Sequence, residues 1–235
     1  MRNYLTFGGF DSRDYGVYIS GDGVFNAPSR NYNFIAIPGK DGDIVGPSYR
    51  LQNMTVTYPC FIYSNFAENL KNFRAMLMSQ IGYKQLIDSY HPNEFRLATF
   101  TGPLSVEVQP RHDVGEFDLE FTCKPQRFLV SGETETTLTA SGSITNPTLF
   151  DSQPVITVTG SGVLGIGSQS VTIASGTANV VIDCEMQDAY YGSQSLNNAV
   201  TLSGYKFPVL KPGVNNISLG TGITEVVIKP RWWTV

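Results

Sequence analysis

The chain has 235 residues, enough for one large or two modest domains, and two are expected. Charged residues make up 15% against the roughly 25% of an average soluble protein, and the net charge of −4 is spread without a basic run. That balance excludes sequence-specific nucleic-acid binding and attraction to an anionic membrane as the main activity, and no apolar run is long enough for membrane insertion. Cys60, Cys123 and Cys184 are odd in number and lie in apolar, strand-like settings, so buried thiols are expected, not a disulfide framework or a zinc site.

Tyr4 to Phe7, the Gly8-Gly9 turn and Tyr15 to Ile19 read as short strands, and the start is no signal-peptide core. An arm at about 30–46 follows. Tyr32, Phe34 and Ala36 alternate with Asn33, Ile35 and Ile37, so both faces are largely apolar and both need cover. Pro38-Gly39 and Asp41-Gly42 are turn dipeptides, after which the chain returns through Ile44-Val45. The cover is either the arm's own domain, which composition alone favours, or a neighbouring copy.

Met54, Val56, Tyr58, Cys60 and Ile62 alternate onto one face of a strand, where Pro59 implies an edge or a bulge. A helix over about 65–81 is predicted from Asn65 as N-cap, Glu68 completing a capping box, the stripe Phe66, Leu70, Phe73, Leu77 and Ile81, and Gly82 as stop. Its stripe reads as core packing. Strands are predicted at 84–88, 95–100, 104–109 and 116–123, the last with one wet face.

Residues 1–130 are thus expected to form the first domain. The Gly, Ser, Thr and Glu of 131–145 read as a linker and 146–235 as a second domain. Strands at 154–159, 170–174, 178–183, 202–205, 215–219 and 225–229, separated by glycine turns, predict an all-β sandwich.

No catalytic, cofactor or metal site is expected, and an enzyme is the weakest class. Gly160 to Gly165 matches the dinucleotide fingerprint in letters, but a strand pattern follows in place of the helix whose N-terminus would meet the pyrophosphate, so it reads as a hairpin loop. His91 and His112, both read as loop residues, are too few for a histidine-dependent triad or metal site. Asp41 and Asp43 begin no calcium loop, since Ile44, Val45, Gly46 and Pro47 stand where ligands should follow. Tyr190 and Tyr191 read as a polar loop. Of Trp232 and Trp233 only one can enter the core of its unit, because neighbours on a strand point apart. The other is expected to pack on a domain neighbour or subunit ahead of a sugar.

Phe7 to Phe10, Tyr15 to Val17, Ile37 to Asp43, Phe121 to Arg127 and Lys229 to Trp233, with Asn146-Pro147, Ile182 to Cys184 and Phe207 to Asn215, together resemble the distal tail proteins of siphophages, long-tailed bacteriophages infecting Gram-positive bacteria. The likeness runs in order along the whole chain. It implies a mainly β protein: an N-terminal β-sandwich with one α-helix and an extended arm, then a C-terminal galectin-like β-sandwich. It also implies a homohexameric ring at the virion's tail tip, made in the host cytoplasm, with each arm on the next subunit around a DNA channel. Expected partners are the tail tube protein, the tail-associated fibre or lysin protein and, in some members, receptor-binding proteins. The oligomerisation arm would then comprise Tyr32, Phe34, Ile35, Ile37, Pro38, Gly39, Asp41, Gly42 and Ile44. The alternative is a cell-surface carbohydrate-binding module, with Tyr190, Tyr191, Trp232 and Trp233 as ligand aromatics.

Overall fold

The computed structural model describes residues 2–21, 23–46, 50–109 and 114–235. Pro47 and the expected loop at 110–113, with His112, lie outside the described residues. The chain divides into two compact units, residues 1–127 with Val235 and residues 128–234, the boundary falling near the end of the long strand at 114–129.

The first unit contains strands β1 (Leu5–Phe7), β2 (Phe10–Asp11), β3 (Val17–Ile19), β4 (Phe34–Ile35), β5 (Ile44–Val45), β6 (Met54–Ile62), β7 (Lys84–Asp88), β8 (Glu94–Thr99), β9 (Val106–Gln109) and β10 (Val114–Leu129), with helix α1 (Phe66–Ser79) between β6 and β7. Its main sheet runs β2-β1-β7-β8-β10-β6-β3. Asn3 then bridges Ile19, whose N–H donates to the Asn3 carbonyl at 2.8 Å. The sheet therefore curls until its ends meet, and the two layers expected of a sandwich are opposite walls of one sheet.

The predicted alternation of β6 holds: Val56, Tyr58, Cys60 and Ile62 are buried, the first three beside their cross-strand partners Phe121, Leu119 and Phe117 of β10, in a core shared with Phe66, Leu70, Phe73, Met76 and Leu77 of the helix. Pro59 lies inside the sheet yet leaves no ladder bond broken. Its carbonyl accepts from the Ser20 N–H at 2.8 Å, and a residue's N–H and C=O share a side, so the missing donor faces the point where β3 has ended.

At the helix start the capping box does not form. Asn65 takes φ 48°, outside the extended conformation from which an N-cap side chain reaches the first turn, and makes no side-chain cap bond. Gln80 is already extended, so Ile81 falls beyond the helix and is exposed, not part of the stripe. Gly115 is where the helix presses closest: a Cβ there would stand 2.2 Å from the Phe66 ring. Gly115→Ala is expected to destabilise the first unit by about 1–3 kcal/mol, read as a lower denaturation midpoint.

The second unit contains β11 (Thr136–Leu138), β12 (Gly142–Asn146), β13 (Val155–Gly160), β14 (Gly162–Ile166), β15 (Gln169–Ile173), β16 (Asn179–Asp183), β17 (Asp188–Tyr191), β18 (Gln194–Ser195), β19 (Val200–Leu202), β20 (Gly213–Leu219), β21 (Ile223–Lys229) and β22 (Trp233–Thr234). Two antiparallel sheets, β11-β21-β13-β16-β17-β18 and β12-β20-β14-β15-β19, close over one apolar core, the two-sheeted architecture expected of a galectin-like sandwich.

Residues 131–145 are no linker. β11 pairs with β21 and β12 with β20, so this stretch supplies a strand to each sheet. Its Ser and Thr are the wet positions of edge strands, while Ile144 and Asn146 turn inward. The motif at 160–165 is a tight turn between β13 and β14 followed by a strand, with no helix to meet a phosphate. Asn146 and Asn215, drawn from the family-like motifs, are buried pins: Asn146 donates to the carbonyls of Phe150 and Leu210, and Asn215 to those of Lys211 and Gly213.

Candidate functional site

The arm leaves the first unit after β3, and its root is fastened. The Tyr90 hydroxyl donates to the Gly21 carbonyl, and Arg127 Nη2 donates to the Val24 carbonyl at 2.7 Å while its Nη1 pairs with Glu94 at 3.2 Å. Arg96 Nη2 reaches the Asn26 carbonyl at 3.4 Å. Arg96 is buried, and burial, helped by the nearby Arg127 charge, lowers its pKa. Phe25 stands edge-on to His91 at 5.3 Å, and His91 Nδ1 lies 3.0 Å from Asp88.

Beyond the root the two limbs pair at the base, Gln52 N–H to the Ser29 carbonyl and Asn31 N–H to the Arg50 carbonyl, each at 2.9 Å. They pair again near the tip, with Phe34 opposite Val45 and Ile35 opposite Ile44. Lys40 N–H returns to the Ile37 carbonyl at 3.2 Å, and Gly39 takes φ 80°. Pro38 and Gly39 are thus the second and third residues of a type II turn, which needs a residue tolerant of positive φ third.

Every residue from 29 to 45 is exposed. Cross-strand partners share a face, so Tyr32, Phe34 and Val45 form one apolar side and Ile35, Ile37 and Ile44 the other. The rings of Tyr32 and Phe34 meet at 5.9 Å on the first side. Phe34 keeps 62% of its surface in water and Ile35 47%. No other part of the first unit covers this ribbon among the described residues.

The remaining sequence-predicted aromatics fare differently. Trp232 is buried in the core of the second unit. Trp233 needs no surface outside that unit: its ring stacks on Phe150 at 4.3 Å, and Nε1 donates to the Asp151 carbonyl at 2.9 Å. Tyr190 and Tyr191 sit on strand β17 and not in a loop, Tyr190 half-buried and Tyr191 exposed. The arm root went unread in the sequence; the one available signal was Arg96 beside Phe95 and two before Ala98, a charge in an otherwise inward-facing strand.

Cys60, Cys123 and Cys184 are free and buried. Burial pushes Cys123 up to about 11 and Cys184 to about 12, which keeps both as inert thiols at neutral pH.

Residues 10–123 match the family described as the phage tail protein RIFT-related domain. The first unit is a phage tail domain of that family. A search of curated protein sequences returned no match. Among solved structures, the Dit protein (gp 19.1) of phage SPP1, described as a paradigm of the hub adsorption apparatus in phages infecting Gram-positive hosts, is similar over 100% of both chains at 14% identity with a TM-score of 0.76. At that identity the likeness establishes the fold, here of both units in the same order. A chain of the phage p2 baseplate, solved in its activated conformation with Sr, is 9% identical over 96% of this chain and 97% of that one, with a TM-score of 0.49.

Proposed function

We propose that this phage tail protein is a structural hub of the tail tip and not an enzyme: a homohexameric ring in which the arm of each copy lies on the next, joining the tail tube to the tail-associated apparatus around a channel for DNA. The exposed apolar hairpin of residues 29–45 carries this reading. A ribbon with two greasy faces and a fastened root is costly in water unless another surface receives it.

Magnitudes favour a closed assembly over a simple pair. Tyr32, Phe34, Ile35, Ile37, Ile44 and Val45 each keep 40–62% of their surface in water. Completing their burial gains on the order of 1 kcal/mol apiece, which is of the size of the entropy lost on association. One arm contact alone is therefore weak. In a head-to-tail ring each copy both gives and receives an arm, so closure adds contacts without adding a further free partner.

The test is the mass of the purified protein by light scattering over a range of concentrations, together with negative-stain micrographs. Six-fold rings are expected. A monomer at every concentration overturns the proposal, and one that gains thermal stability with a glycan replaces it with the carbohydrate-binding alternative.

A further inference from the structure

A head-to-tail contact requires a second patch on each copy, chemically matched to the arm and uncovered in the single chain. In the first unit a cleft of about 370 Å³ is lined by Arg74 and Met78 of α1 and by Phe100, Pro103 and Leu104 of the loop after β8. Met78 keeps 67% of its surface in water, and Ile81, just past the helix end, 86%. These apolar side chains lie outside the buried stripe that holds the helix to the sheet.

Charge distinguishes this cleft from a generic greasy groove. Lys71, Arg74 and Met78 follow one another at three and four residues, hence along one exposed stripe of the helix. Asp41 and Asp43, with Lys40 before them, are exposed at the turn of the arm and leave that turn net acidic. The arm offers isoleucines with two carboxylates against one lysine at the tip; the cleft offers methionine, phenylalanine and leucine with Arg74 in its lining and Lys71 one turn back on the helix. Like charges at the rim would cost the contact, while opposite ones fix its register.

We propose that the cleft between the C-terminal half of α1 and the 100–104 loop receives the arm of a second copy of this chain, with Ile35, Ile37 and Ile44 on Met78, Phe100 and Leu104 and with Asp41 and Asp43 facing Lys71 and Arg74. The inference rests on the reading of the arm as an assembly element and adds the surface that completes it.

Two variants decide it. The arm variant Ile35→Asp/Ile37→Asp keeps an intact cleft, and the cleft variant Arg74→Glu/Met78→Asp keeps an intact arm. All four positions are exposed, so each variant is expected to melt as the wild type does. Alone, each loses the wild-type oligomer, with association weakened about 100- to 1000-fold. Mixed at high concentration they form a one-to-one dimer that cannot extend, because only one productive contact remains. A cleft variant that assembles like the wild type, or a mixture that stays monomeric while both single variants have lost the oligomer, overturns the cleft assignment and leaves the arm reading standing. An arm variant that still assembles overturns both.

Discussion

Replacing Ile35 and Ile37 by aspartate is expected to raise the dissociation constant of self-association about 100- to 1000-fold while leaving the fold of the first unit untouched. Both side chains already lie outside the buried core, 47% and 40% exposed, so the isolated chain loses little, within about 0.5 kcal/mol. In the assembled state the same positions are proposed to be dry. There the substitution removes two apolar side chains and places two carboxylates against apolar surface, a loss of roughly 3–4 kcal/mol. Light scattering or sedimentation across a concentration series measures the first quantity and a thermal melt the second. Equal loss of both would mean that the ribbon is part of its own domain's core.

Arg231→Ala is expected to destabilise the second unit by about 3 kcal/mol, which corresponds to a midpoint roughly 10–20 °C lower. Arg231 grips Asp183 with two hydrogen bonds of 2.9 and 3.1 Å, and the Asp183 carboxylate is 3% exposed. Burial by itself pushes that carboxyl up, but the Arg231 hydrogen bonds, with the N–H groups of Met186 and Glu185, hold it below its ordinary value. A carboxyl lowered in the folded state stabilises above its unfolded pKa of about 3.9, and this contribution is lost as the pH falls through the folded value. The gap between variant and wild type is therefore widest at neutral pH and closes in acid. Melts of both proteins at pH 7 and pH 3 check the sign. Arg231 also sits at φ 55°, kept there by Asp183 and by its own N–H to the Gly132 carbonyl, so the alanine variant retains the strain without the ion pair.

Much of this architecture could be read from local patterns. Period-two alternation placed Val56, Tyr58, Cys60 and Ile62 inward, and a stripe at three and four residues placed Leu70, Phe73 and Leu77 on the core. Both patterns depend on side-chain direction relative to the backbone, which is a local property. Pro38-Gly39 gave its turn for the same reason, since proline fixes one φ and glycine admits a positive one. Where local rules competed with longer-range packing the reading failed. Asn65 has the right side chain for a cap but the wrong φ, and the polar stretch 131–145 reads like a linker although its backbone is claimed by two edge ladders.

What the letters settled by themselves is that the chain is mainly β, that it holds one helix and that it carries a two-faced apolar ribbon near residue 35. What only the tertiary structure decided is that no described residue covers the ribbon, that Arg96 and Arg127 fasten its root to the carbonyls of Asn26 and Val24, and that Trp233 is satisfied within its own unit. The division has one cause. Periodicity and turn chemistry act over a few neighbouring residues, whereas exposure and an arginine's choice of carbonyl depend on segments far apart in the chain that meet only once it has folded.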